Sequence, residues 1–125
     1  FNAESRVIVE DPKWPGAAAF GSAPFMFTEQ HPFYKEPYSR DKVHVVLRLD
    51  PASLSEQNRT RRPEGDVPVA FAKSYGKGRV FNMGWGHHEA TWDDPRFKTF
   101  MLETIKWALG VVQADATPRS FPGNK

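Results

Sequence analysis

The chain has 125 residues, enough for one domain or a large piece of one. Seventeen basic and fifteen acidic residues give a net charge of +2, too small an excess for a nucleic-acid binder, and Arg59, Arg61 and Arg62 share their polar loop with Glu56, Glu64 and Asp66. The absence of cysteine excludes disulfides, thiolate metal sites and a cysteine nucleophile within the chain, and no apolar run reaches the length of a membrane span.

In chain order, Arg6-Val-Ile-Val-Glu10 predicts a short strand that Asp11-Pro12 stops. Residues 11–24 read as a loop, and Phe25 to Glu29 as a second short extended segment. Prolines make residues 31–37 irregular. Lys42-Val-His-Val-Val-Leu-Arg-Leu49 is the clearest strand, apolar enough through its middle to be buried on both faces. Its His44 reads as structural. Residues 50–66 are a polar excursion. Val67 to Lys73 and Arg79 to Met83 form a β-hairpin about Ser74-Tyr-Gly-Lys-Gly78, a turn without the strand-to-helix context of a phosphate loop. Asp94-Pro95 starts a helix that ends at Gly110, with Phe97, Met101, Thr104, Ile105 and Ala108 on its buried stripe and Phe100 and Trp107 beside it. The chain thus divides into residues 1–110 and a polar, extended tail over 111–125. One helix is little cover for four or five strands, so further helices are expected from another segment or chain.

The stretch Gly84-Trp-Gly-His-His-Glu-Ala-Thr-Trp-Asp-Asp94 leaves a strand and enters a helix, the edge where open α/β sheets bind ligands. An imidazole exchanges protons near neutral pH, a carboxylate can orient it, and indoles offer flat faces to sugar rings. The same residues also fit a solvated loop whose tryptophans pin the helix to the sheet. His87, His88, Glu89, Asp93 and Asp94 carry metal-ligating groups, but His88-Glu89 lacks the second histidine of the zinc helix motif. A second cluster, Thr28-Glu-Gln-His31 with Tyr34, fits either a polar pocket or an anchored surface loop.

Taken together, Phe27-Thr-Glu-Gln30, Arg40-Asp-Lys-Val-His-Val-Val-Leu47, Tyr75-Gly-Lys-Gly-Arg-Val-Phe81, Gly86-His87, Trp92-Asp-Asp-Pro-Arg-Phe97 and Ile105-Lys-Trp-Ala-Leu-Gly110 resemble the ThuA-like (trehalose utilisation) family from about Val7 to Gly110. The resemblance implies an α/β fold like that of class I glutamine amidotransferases: a largely parallel, flavodoxin-like sheet flanked by helices, of which this chain is the C-terminal portion. The N-terminal half would come from the same domain or another chain. It further implies disaccharide metabolism, on trehalose or 3-keto sugars, with a small-molecule sugar as partner. The small charge excess and the lack of an apolar span predict no nucleic-acid and no membrane partner, and an oligomer is a further expectation. On the relatives' pattern His87 is the acid/base and Glu89 its orienting partner, while Trp85, His88, Trp92, Glu29 and Gln30 shape the sugar site. The family commonly has Asp-Glu where this chain has Glu29-Gln30, and a single histidine where it has His87-His88. No cofactor is expected. A non-catalytic carbohydrate-binding or assembly module and a metal-dependent hydrolase are the rival readings. The Ala114-Asp-Ala-Thr-Pro-Arg119 tail resembles those of exported bacterial members, which points to a periplasmic or secreted setting.

Overall fold

A computed structural model describes residues 1–123 as a mixed α/β domain. Its five strands are β1 (Asn2–Val9), β2 (Phe25–Gln30), β3 (His44–Leu49), β4 (Pro68–Tyr75) and β5 (Gly78–Met83), arranged β2-β1-β3-β4-β5 in one curled sheet. Every neighbouring pair is antiparallel, from Ser5 opposite Phe27 at one edge to Ala72 opposite Phe81 at the other. The largely parallel sheet implied by the resemblance is therefore not what these strands form. Parallel neighbours need long crossovers, usually helical, whereas the connections here carry only the 3₁₀ turns Ala17–Phe20 and Pro51–Ser53 and the one-turn helix α1 (Glu56–Arg59).

The hairpin forms as expected, with Gly76 at φ +57° in the two-residue loop between Tyr75 and Gly78. After β5 come a five-residue helix α2 (Glu89–Asp93), not foreseen in the sequence, and the long helix α3 (Pro95–Ala108). Asp94 caps α3 by accepting from the Arg96 N–H, with Pro95 at the first helical position. Gly110, at φ +78°, donates to the Trp107 carbonyl just past its end.

Helix α3 buries Phe97, Phe100, Thr104 and Trp107 on the sheet, while Ile105 is 49% exposed. The buried stripe is thus rotated from the one expected, because the aromatics claim the centre. Each large side chain buried there contributes roughly 1.5–3 kcal/mol. Trp14 lies between sheet and helix, edge-on to Trp107, and its indole N–H donates to Thr104 Oγ1 at 3.1 Å. Gly16 lets that loop approach: at φ +80°, an added Cβ would come within 2.8 Å of the Phe100 Cα.

All six residues of β3 are buried, as its composition predicts. Helix α3 covers one face; the other is covered by irregular chain. Tyr34 and Tyr38 of the β2–β3 connection pack on Phe71, and Phe121 of the tail lies under the guanidinium groups of Arg40 and Arg48, 5.3 Å from each. The tail has no regular secondary structure over residues 113–123 but is tied down, with the Arg119 N–H donating to the Val43 carbonyl. His44 is structural: its ring nitrogens lie 2.7 Å from the Thr117 carbonyl and 2.7 Å from Asp11 Oδ2. No described helix is long and apolar enough to cross a membrane.

Candidate functional site

The loop after β5 reaches the opposite edge of the curled sheet and docks on β2. Gly84 allows that approach, since an added Cβ would sit 2.4 Å from the Pro32 ring and 2.9 Å from the Val69 carbonyl. The next residue, Trp85, is buried, stacked on Phe27 at 4.2 Å and edge-on to Phe20. Its ring belongs to the core, so the sugar-stacking face expected of it is not presented to solvent.

The Trp85 indole N–H donates to His31 Nδ1 at 3.1 Å, which makes that nitrogen the acceptor. Nε2 then carries the proton and donates to the Ala3 carbonyl at 3.0 Å. Burial pushes the His31 ring down to about 4, against the opposing effects of the Ala3 hydrogen bond and the nearby Glu29 charge. His31 is a neutral structural spacer under the loop.

Glu29 is the root of the site. Its carboxylate is fully buried and accepts from the N–H of Gly86 (2.9 Å), the N–H of His88 (3.3 Å), the Thr91 hydroxyl (2.6 Å) and the Gln30 N–H (2.7 Å). Burial alone would raise this carboxyl; the hydrogen bonds from Thr91, Gln30, Gly86 and His88 outweigh it and hold the group below the ordinary carboxylate value. Two strand-to-helix amides and a helix hydroxyl are thereby fixed by one anion. Expected to shape a sugar pocket, Glu29 instead has no face left for a substrate. Gln30, beside it, is exposed.

What the root presents is an outer layer. His87 is exposed, and among the described residues its side chain makes no hydrogen bond; its ring meets only that of His88, edge-on at 5.3 Å. His88 is half-buried, with Nε2 2.8 Å from Asn2 Oδ1 and 3.9 Å from Glu29 Oε1. Glu89 is exposed at the start of α2, and no hydrogen bond or ion pair among the described residues joins it to His87. Trp92 is 52% exposed; its N–H donates to the Gly86 carbonyl at 2.9 Å, and its ring covers Gly86, whose φ of +123° favours glycine. A groove of about 200 Å³ opens beside Thr28, Ala90, Thr91 and Arg96, below the roughly 300–1,000 Å³ of ordinary ligand pockets, and His87 does not line it. Among the described residues no group of three or more His, Asp or Glu side chains is placed to hold a metal ion.

The family model described as trehalose utilisation, ThuA, matches residues 2–108, nearly the whole chain. The chain belongs to the ThuA family. No curated protein and no solved structure matches it. The matched range takes in every strand, the Glu29 root and helix α3 to its last residue, so the ThuA pattern and the rooted loop are one unit. Sequence reasoning singled out both halves of this site but not their contact. His31 stood in the second cluster without its buried role, and Thr91 was given no role of its own. Their signal is a hydroxyl and an imidazole at otherwise apolar positions, legible only once the two segments are known to meet.

Proposed function

We propose that this ThuA domain acts in trehalose or 3-keto-disaccharide metabolism, with His87 as the general acid/base of a site on the Gly86–Thr91 loop. The observation that carries the reading is the Glu29 root: a buried anion fixes the backbone on both sides of His87 while leaving that imidazole in solvent with no partner to satisfy. A histidine held this way can pass a proton to or from a bound hydroxyl. Trp92 offers the exposed indole face for a sugar ring, and His88, steadied by Asn2, a hydrogen-bonding edge. The adjoining groove is too small for a disaccharide. We therefore assign the completion of the sugar site to a further segment or chain, and the protein to a periplasmic or secreted setting.

The test is turnover of trehalose and of its 3-keto derivative by the protein and by His87→Ala. A loss of about 100-fold or more, with unchanged unfolding, is expected of an acid/base residue. Unchanged turnover ends the assignment. That no hydrogen bond or ion pair among the described residues joins Glu89 to His87 favours a second reading, a carbohydrate-binding module without catalysis. Saturable trehalose binding by wild type and His87→Ala alike, with product formed by neither, selects it.

A further inference from the structure

Strand alternation puts Ala72 and Phe81 on the α3 side, where Phe81 meets Trp14 and Phe100, and so puts Phe71 and its partner Asn82 on the opposite face. There Tyr34 and Tyr38 close over Phe71, with ring centroids 5.1 and 5.8 Å from it and 6.0 Å from each other. Both phenol groups are tethered inward: Tyr38 donates to Asp66 Oδ2 at 2.8 Å, and Tyr34 accepts from the Asn82 amide. The aromatic floor is thus fixed in place. It forms a groove of about 400 Å³, inside the usual range for small-molecule sites.

Lys35, Lys42 and Lys73 line this groove, and no acidic side chain does. Among the described residues none of the three lysines is in an ion pair. Two carboxylates accept from groove residues, Asp66 from Tyr38 and Asp41 from Ser39, and Asp66 is also paired with Arg40 at 2.7 Å. Glu36 neighbours the rim in sequence but does not line the groove. A lone surface lysine is usually just solvated. Three cations around one concave, low-dielectric aromatic floor focus positive potential into it. Ammonium groups bind phosphate as point charges, and fixed aromatic faces take the flat side of a ring.

We propose that this groove, on the face of the sheet away from the Glu29-rooted loop, binds a small phosphate ester carried on a ring, the phosphate on Lys35, Lys42 and Lys73 and the ring on Tyr34, Tyr38 and Phe71. The site is independent of the sugar chemistry assigned to His87. Two sources share this chemistry, a phosphorylated sugar and a nucleotide. Calorimetric titration of the protein with glucose 6-phosphate, ADP, inorganic phosphate and glucose separates them. Saturable millimolar or tighter binding is expected for one or both esters, above inorganic phosphate and glucose, and the tighter ester names the source. K35Q/K42Q/K73Q, checked for unchanged unfolding, weakens that binding about tenfold or more, while the exposed hairpin variant Lys77→Gln leaves it within about twofold. Lack of binding by either ester overturns the proposal. So do binding of inorganic phosphate or glucose as tight as that of the esters, and an equal loss in Lys77→Gln.

Discussion

Glu29 and Asp66 are both buried carboxylates that hold a loop against the sheet, but they collect different donors. Asp66, with Glu10, is met by charge: Arg40 reaches Asp66 at 2.7 and 3.0 Å and Glu10 at 2.6 and 3.0 Å, and Arg48 lies 3.1 Å from Glu10. Glu29 is met by three N–H groups and a hydroxyl, all neutral. The first arrangement sets carboxylates against guanidinium groups and pins Arg40 and its segment to the sheet. The second keeps its full negative charge beneath two histidines while fixing the loop that carries them. A neutral-donor root thus gives both position and field at the candidate site, whereas the ion-pair root gives position alone.

Breaking the charged root should have the largest effect. Arg40→Met removes the guanidinium shared by two buried carboxylates, leaving Glu10 to Arg48 and Asp66 to the Tyr38 hydroxyl, and equilibrium denaturation should show a loss of about 3 kcal/mol. Loop 84–91 should keep its amide protection in the folded fraction.

Acid acts next, on the neutral side of the comparison. His31 holds its folded-state value near 4, below the ordinary 6.5, so the unfolded chain binds more protons between those limits. Stability contributed by the neutral ring is therefore present above about 6.5 and lost as pH falls towards 4, by roughly 3 kcal/mol. His31→Gln should flatten that part of the profile. Glu29 is also depressed, but from the carboxylate range, so its contribution persists to lower pH and is lost only as pH falls through its folded value. Two successive acid steps separate spacer from root.

Gly86→Ala should cost least, about 1 kcal/mol, through its φ of +123° and the 3.1 Å approach of an added Cβ to Trp92. Its readout is local: the indole fluorescence of Trp92 should shift while the charged root is untouched.

Local rules made much of the fold legible. β-branched runs gave β3 and the hairpin, and Asp94-Pro95 with Gly110 gave the limits of α3. What they could not give is pairing between distant segments. Nothing in the order of the strands says that β1 sits between β2 and β3, or that the sheet curls until residue 86 meets residue 29. The parallel arrangement was inherited from the family resemblance, and the short connections overruled it. At the site, residue type pointed to the right segments but not to roles. Trp85 and Glu29 went to the interior because a flat ring and a carboxylate there had partners waiting, Phe27 for one and unpaired loop amides for the other. Trp92 and His87 stayed outside. Counting the loop's free N–H groups would have asked for an anion like Glu29, since buried amides need acceptors.

Hydrogen exchange at the amides of Gly86 and His88, compared between the protein and Glu29→Gln, tests the root most directly. A carboxamide offers one acceptor oxygen where the anion offered two, so both amides should lose protection worth about 2 kcal/mol while those of β3 and β4 hold theirs. Equal protection in the two proteins would mean that the loop stands without Glu29, and that nothing beneath His87 sets its position.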